Sequence, residues 1–216
     1  MPRIVDLSHP LQAGMPHART IPAPTFAPTS TWEKDRMRVM RLDIPSHLGT
    51  HVDAPSHFVE DGATLDRVPP SALVGRAYCI EVLRSRPVPL TVDDLKGAAD
   101  LAPGDALLIR TGWDERYAEE SYMDYHPYLS VEAADWVVAT GLRLVGVDTI
   151  SPDLPNAMRP PNFGYEVHRT LLGAGTLILE NLVLREVADR WCTLFVGVLN
   201  VSGGDGAPAR VLAMLN

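Results

Sequence analysis

Runs of apolar residues along the chain predict several short β-strands. A strand is expected where about four to eight aliphatic, β-branched or aromatic residues stand between turn signals. Residues 105–111 contain the run Ala-Leu-Leu-Ile, which is typical of a strand buried on both faces. The other predicted strands cover residues 3–7, 36–44, 76–83, 143–147, 176–179, 191–201 and 211–215. A sheet therefore accounts for most of the regular structure that the pattern indicates.

Only a few stretches have the apolar spacing of a helix. Residues 131–140 form the clearest one, because Ser130 stands before them as a helix N-cap. A second helix is predicted to begin after Thr91, where two acidic residues would face the positive end of the helix dipole. A third covers residues 165–172 and ends at Gly173. Short strands interleaved with few helices predict the α/β class with a mixed β-sheet.

Prolines dominate the N-terminal part of the chain. Between residues 10 and 28 they recur so often that we expect no regular structure there. A long loop of this kind inside a compact domain is usually functional or a contact between subunits.

Length and composition indicate an ordinary globular protein. The 216 residues predict a single domain, 1–216, with 46% hydrophobic and 21% charged residues. The net charge of −8 and the lack of a basic cluster argue against binding nucleic acid or an anionic membrane surface. Cys79 and Cys192 lie in apolar runs and are expected to be buried free thiols. The first residues lack a hydrophobic signal core, which favours a cytoplasmic location.

Three of the seven histidines and one aspartate lie within residues 47–57. A buried cluster of imidazoles needs a cation or a proton as compensation, and both imply function. Imidazole together with carboxylate suits Zn²⁺ or Mn²⁺. Residues 47–57 therefore predict a metal site.

The spacing of these residues predicts a bend. His47, His51 and Asp53 would share one face of an extended chain, but His47 and His51 would then lie ~13 Å apart. A regular helix fails as well, because it would turn Asp53 away from His51. Gly49 can take backbone angles closed to other residues and is placed to fold the segment back. We therefore expect a bulged strand or loop that brings the three side chains onto one ion.

Residues 47–58 read His-Leu-Gly-Thr-His-Val-Asp-Ala-Pro-Ser-His-Phe. This pattern resembles the signature of the cyclase-like metal-dependent hydrolases, a family that includes bacterial kynurenine formamidase and is related to isatin hydrolase. The resemblance extends along nearly the whole chain, through residues 5–11, 146–149, 168–180 and 206–210.

The resemblance implies a two-metal centre in a swivelling β/β/α fold. His47, His51 and Asp53 would hold one ion. Asp53 would bridge to the second ion, and His168 with Glu180 would complete that site. The family is often dimeric, so the resemblance also implies a homodimer or a higher homo-oligomer.

The sequence around His168 and Glu180 supports these two residues as ligands. Glu180 follows three aliphatic residues and would be a buried carboxylate that is costly without a cation. A helix followed by a strand can bring His168 and Glu180 together. Without Glu180, a histidine in the middle of a helix would more often be a core residue than a ligand.

The predicted chemistry is hydrolysis. Metal ions with open coordination positions polarise a carbonyl and lower the pKa of bound water toward ~7. A leaving amine needs a proton, and His57 is the spare imidazole of the motif, at the position where the resemblance places the proton donor. The favoured function is an amidohydrolase that resembles kynurenine formamidase, an enzyme of tryptophan catabolism. It would release formate from N-formylkynurenine or a similar N-formyl aryl amine.

The candidate substrate contacts come from the N-terminal loop and from Trp113. Relatives that act on N-formylkynurenine carry an aromatic residue shortly after Gly-Met-Pro, whereas residues 14–19 read Gly-Met-Pro-His-Ala-Arg. The aromatic wall is therefore missing or supplied elsewhere. Arg19 would hold a substrate carboxylate and His17 would line the site. Trp113 is either a core aromatic or a wall for an aromatic substrate.

Two alternative functions stay open. One is an isatin-hydrolase-like enzyme, or another member of the family, that opens a lactone or cyclic amide. The other is a non-enzymatic module stabilised by metal, which chelation would unfold.

Overall fold

The computed structural model describes residues 2–98 and 100–215. Its strands are β1 (Arg3–Asp6), β2 (Thr25–Ser30), β3 (Val39–Asp43), β4 (His51–Asp53), β5 (Val74–Glu81), β6 (Pro89–Leu90), β7 (Ala106–Arg110), β8 (Tyr128–Leu129), β9 (Leu144–Val147), β10 (Leu177–Glu180), β11 (Arg190–Val198) and β12 (Gly206–Leu215). Its α-helices are α1 (Trp32–Asp35), α2 (Pro70–Leu73), α3 (Val92–Leu95), α4 (Val131–Ala139) and α5 (Glu166–Gly173).

Eight strands form one mixed sheet that closes on itself. Their order is β1-β12-β11-β5-β7-β9-β10-β4, and β4 also pairs with β12. The pairs from β5 through β7 and β9 to β10 are parallel, and the other pairs are antiparallel. Because β12 is long, its first three residues pair with β4 and its last four with β1. Seven strands therefore form a barrel-like ring, with β1 added at one edge.

The alternation of side chains along the strands divides the core into two parts. Leu108 and Leu179 belong to one apolar cluster together with residues of β11 and β12. Their neighbours Leu107 and Ile178 belong to a second cluster, which packs against α4 and α5. Every residue of β7 is buried, because both faces of this strand are covered.

The structure confirms the α/β class, the mixed sheet and the small number of helices. Each predicted strand corresponds to an observed one, and the bounds of β3, β5, β11 and β12 differ from the predicted ones by two to five residues at one or both ends. The predicted helix over 131–140 is α4, and the Ser130 side chain accepts a hydrogen bond from the backbone N–H of Ala133 at 3.1 Å. Cys79 and Cys192 are buried free thiols, as predicted.

The expectation of an irregular chain over residues 10–28 is wrong for residues 25–28. Thr25–Ser30 forms β2, which pairs with β3 in a two-stranded sheet outside the main one. Pro28 is tolerated because the strand has a partner on one side only, and the register shifts between Pro28 and Ser30.

None of the helices within residues 2–98 and 100–215 is long and apolar enough to cross a lipid bilayer.

Candidate metal centre

The pairing of β4 with β10 places two candidate ligands next to each other. In this antiparallel pair, His51 lies opposite Glu180 and Asp53 lies opposite Ile178. Helix α5 packs against β10 and carries His168 to the same place. The three elements therefore meet where the ring of strands closes.

The bend predicted at Gly49 is present. Gly49 has a φ of +58°, and a Cβ there would lie 2.6 Å from the Met15 side chain. Its carbonyl accepts hydrogen bonds from His51 Nδ1 at 2.7 Å and from Asn181 Nδ2 at 2.9 Å. The Thr50 hydroxyl donates to the Asn181 carbonyl at 2.6 Å. These contacts fix the turn that separates His47 from His51.

The Asp53 carboxylate lies between the imidazoles. Its Oδ1 is 2.7 Å from His47 Nδ1 and 3.3 Å from His51 Nε2. Its Oδ2 is 3.5 Å from His168 Nε2. Glu180 lies opposite, with Oε2 3.3 Å from His51 Nε2 and Oε1 3.2 Å from His168 Nε2. The structure thus brings together all five predicted metal ligands, and their role as ligands stays a prediction.

Contacts of the Nδ1 atoms fix the orientation of the buried imidazoles of His51 and His168. His51 Nδ1 donates to the Gly49 carbonyl, so that its Nε2 points toward the acids. His168 Nδ1 contacts Asp153 Oδ2 at 2.5 Å. Asp153 also accepts hydrogen bonds from the backbone N–H groups of Val167 and His168 at the start of α5. A carboxylate behind a histidine is the arrangement that holds metal-binding imidazoles in place.

The charges in the cluster stabilise one another. Burial disfavours the charged form of His47, but the hydrogen bond with Asp53 and the charges of Asp53 and Asp205 outweigh it and raise the pKa of His47 to about 9. Burial also acts against ionised Asp53, but the neighbouring imidazoles of His168 and His47 hold its pKa well below the usual value. Burial and the nearby charge of Asp53 raise the pKa of Glu180. A divalent cation would supply the same positive charge that these imidazoles carry when protonated.

The residues fit a metal ion. Among the described residues, the buried atoms His51 Nε2 and Asp53 Oδ2 have no hydrogen-bond partner. Ligand atoms of His47, His51 and Asp53 lie within 4.8 Å of one another. Both atoms carry lone pairs, because His51 Nδ1 donates to the Gly49 carbonyl. Unpaired buried acceptors are costly, and a cation satisfies both of them.

His57 lies at the open side of the cluster. It ends the short 3-10 helix Pro55–His57, and its ring stacks on His47 with the centroids 3.7 Å apart. Burial lowers the pKa of His57 to about 4, and its side chain is 26% exposed. The imidazole is therefore neutral at pH 7 and in reach of solvent or substrate.

Sequence reasoning missed Asp205, which stands among the glycines of residues 203–206. Asp205 Oδ2 is 3.1 Å from His47 Nε2 and 3.8 Å from His57 Nδ1. The next residue, Gly206, packs so closely that a Cβ would lie 2.8 Å from the His47 ring. An aspartate between glycines was the only signal in the sequence, because its contacts are far away along the chain.

A pocket opens in front of the cluster. Its walls include His47, His51, His57, His168 and Glu180. Phe58 and Tyr165 line it as well, with ring centroids 5.0 Å apart. The aromatic surface that residues 14–19 lack is therefore supplied by these two rings.

The three residues predicted to contact substrate have different positions relative to the pocket. His17 lines the pocket. Arg19 does not, since its guanidinium is 2.6 Å from Asp124 and its side chain is 71% exposed, so the prediction for Arg19 is wrong. Trp113 is a core aromatic, because it is 2% exposed and its Nε1 donates to the Tyr122 carbonyl at 3.0 Å. The alternative role of Trp113 as a wall of the pocket is thereby excluded.

Comparisons with known proteins agree with this geometry. The family described as "Putative cyclase" matches residues 5–154. A kynurenine formamidase of Bacillus cereus is 30% identical over 215 residues, which cover 96% of this chain and 95% of that protein.

Solved structures share the fold over the whole chain. One is described as a potential metal-dependent hydrolase with cyclase activity. Its TM-score is 0.82 at 29% identity, with 100% of this chain and 99% of that chain covered. Another is isatin hydrolase A from Labrenzia aggregata bound to benzyl benzoate. Its TM-score is 0.88 at 25% identity, with 99% and 94% covered. These matches confirm the resemblance that residues 47–58 indicated.

Removal of Asp53 is expected to abolish metal binding. We expect the purified wild type to hold at least one divalent ion per chain and Asp53→Asn to hold less than a tenth of that amount. A chelator should lower the melting temperature of the wild type, and added metal should restore it, because a ligand that binds only the folded state stabilises it. Elemental analysis and thermal unfolding measure both effects.

The matched control is Asp93→Asn, which removes a carboxylate that is 91% exposed. It should keep the metal content and the melting temperature of the wild type. Equal metal content in Asp53→Asn and wild type would contradict a metal site at Asp53.

Proposed function

The chain belongs to the cyclase family, and from this premise we propose that it is a metal-dependent hydrolase of non-peptide C–N bonds. The proposed substrate is N-formylkynurenine or a similar N-formyl aryl amine, which would yield formate and the free amine. The relative from Bacillus cereus, a kynurenine formamidase that matches 96% of the chain, supports this choice.

One observation carries the proposal. Asp53 lies between His47 and His51 on one side and His168 on the other, and Glu180 faces both sides. A shared carboxylate between two sets of ligands is what a pair of metal ions needs. The set contains imidazole and carboxylate without thiolate, and we propose Zn²⁺ or Mn²⁺ as the ions.

The residues around the metal centre have different roles in the proposed hydrolysis. A metal held by these residues would polarise the substrate carbonyl and lower the pKa of water. Phe58 and Tyr165 hold the aromatic ring of the substrate. His57, neutral at pH 7, accepts a proton from the attacking water and donates it to the leaving nitrogen. His47 stacks on the His57 ring and Asp205 lies beside its Nδ1, so both act as positioning residues.

An alternative substrate class has its own support. The isatin hydrolase that shares the fold over 99% of this chain acts, by its name, on a cyclic compound. A cyclic amide or lactone would need the same ions and the same aromatic walls. The second candidate function is therefore ring opening of an isatin-type substrate.

Substrate turnover is expected to decide between these functions. The protein loaded with zinc or manganese should release formate from N-formylkynurenine and should turn over isatin and aryl lactones at least about tenfold more slowly, a difference of about 1.4 kcal/mol in transition-state stabilisation. Formate release and the absorbance change of each substrate measure this, with the chelated protein as control.

Turnover of isatin or lactones without N-formylkynurenine would instead favour the ring-opening function. If the refilled protein hydrolyses none of these compounds and chelation unfolds it, the metal would have only a structural role.

His57→Gln is expected to lower kcat by about 10²–10⁴-fold, because glutamine cannot carry the proton to the leaving group. The metal content should not change. The metal content must be measured because ligand atoms of His57, Asp53 and His168 lie within 4.8 Å of one another, so that His57 is also a candidate metal ligand. Steady-state kinetics and elemental analysis on the same samples separate the two roles.

Ser56→Ala is the matched control, since it alters the neighbouring position and leaves His57 in place. It should keep the kcat of the wild type. Full turnover by His57→Gln with its metal retained would show that another group transfers the proton.

We further propose that the protein forms a homodimer through the hairpin of β2 and β3. This hairpin lies outside the main sheet and exposes apolar side chains on β3, namely Val39, Met40 and Leu42. Burial of such side chains in a second copy would stabilise an assembly. Light scattering after size exclusion should give a dimer for the wild type and a monomer for Met40→Asp/Leu42→Asp with the same metal content. A monomeric wild type at micromolar concentration would contradict this proposal.

A further inference from the structure

The pocket in front of the metal centre contains one permanent positive charge. Arg159 is the only arginine or lysine among the described residues that line it. We propose that Arg159 binds a free carboxylate of the substrate, and that His126 accepts a hydrogen bond from a donor next to that carboxylate. The inference rests on the proposed function and adds the residues that would select, among N-formyl aryl amines, those that carry such a charged end.

Arg159 is held in place without an acidic partner. Its Nε donates to the Leu154 carbonyl at 2.7 Å, and its Nη1 donates to the Tyr165 hydroxyl at 3.3 Å. Its guanidinium carbon lies 4.8 Å from the centre of the Tyr165 ring and 5.3 Å from that of Phe163. None of these contacts is with a carboxylate, so the positive charge remains available. A guanidinium fixed by stacking is well suited to bind a carboxylate.

His126 supplies the second half of the subsite. It is fully buried, borders the pocket and donates from Nδ1 to the Pro127 carbonyl at 2.9 Å. Its Nε2 therefore carries a lone pair, and this atom has no hydrogen-bond partner among the described residues. A buried acceptor without a partner is rare and needs an explanation. An amino or hydroxyl group of a ligand would satisfy it.

The two residues act on each other electrostatically. Both residues line the same pocket. Burial and the positive charge of Arg159 lower the pKa of His126 to about 4. His126 is therefore neutral at pH 7 and remains an acceptor. A guanidinium beside a neutral acceptor matches a carboxylate with a neighbouring N–H or O–H group.

Tyr165 is a neighbour of both the subsite and the metal centre. It contacts Arg159, and its ring centroid lies 6.2 Å from that of His168. An aryl ketone that joins the charged end of a substrate to its scissile amide would therefore pack on the Tyr165 ring.

Binding of three compounds to the metal-loaded protein tests the subsite directly. All three compounds share the 2-aminophenyl ketone. Kynurenine also has the carboxylate and the α-amino group, 4-(2-aminophenyl)-4-oxobutanoate has the carboxylate but no α-amino group, and 2-aminoacetophenone has neither of these two groups. Calorimetry should show that Arg159→Gln weakens binding of the first two by about 10- to 100-fold and leaves the third unchanged, since a hydrogen bond to a charged group is lost. Arg159→Lys should restore part of the affinity. His126→Phe should weaken binding of kynurenine only.

Arg19→Gln is the matched control, because it removes a nearby arginine that pairs with Asp124 outside the pocket. It should bind all three compounds like the wild type. Melting temperatures show whether each variant is folded. Equal affinity of kynurenine for Arg159→Gln and wild type, or an equal loss for all three compounds, would overturn the inference.

Kinetics separate this inference from the proposed function. Arg159→Gln should raise the KM for N-formylkynurenine about 10- to 100-fold with little change in kcat, and should not affect N-formyl-2-aminoacetophenone. If the wild type hydrolyses neither formyl compound, the proposed function fails. In that case the binding of kynurenine to wild type and Arg159→Gln still decides whether the subsite exists.

Discussion

The structure depends on the compensation of two buried carboxylates. Asp53 and Glu180 both lie on strands of the main sheet, are 1% and 6% exposed, and face each other across His51 and His168. Burial disfavours the ionised form of each acid and the two acids repel each other, and both effects raise the pKa of Glu180. Only positive charge makes this arrangement favourable, whether it comes from protons on the imidazoles or from metal ions. The charges of this site therefore balance only when protons on the imidazoles or a bound cation are present.

The strand that closes the ring also carries the site. Strand β4 has three residues, of which two are candidate ligands, and it pairs with β10 on one side and β12 on the other. The same pairing that joins the ends of the sheet thus sets the positions of His51 and Asp53 relative to Glu180. On the β12 side of β4, Asp205 precedes β12 and its carboxylate lies 3.1 Å from His47 Nε2. Formation of the sheet and assembly of the site are consequently one event.

The sequence predicted what is local and missed what depends on distant contacts. His47, His51, Asp53 and His57 lie within one short segment, so their density and the bend at Gly49 could be read directly. His168 and Glu180 were accessible because one helix and one strand join them. Asp205 and the subsite residues Arg159 and His126 gave no pattern, since only folding brings them to the pocket. Arg19 was misplaced because nothing in the sequence shows that Asp124 neutralises it.

The candidate metal ligands and the proposed substrate contacts lie in different parts of the chain. The candidate ligands and His57 belong to the ring of strands and its immediate neighbours. The entrance of the pocket consists of segments outside the ring, including residues 16–18 and the turn that holds Asn156 and Arg159. Exchange of these segments during evolution would therefore change which compounds are accepted while the reactive apparatus is inherited intact. A single ancestral scaffold of this kind can diversify into enzymes that open rings and enzymes that remove acyl groups.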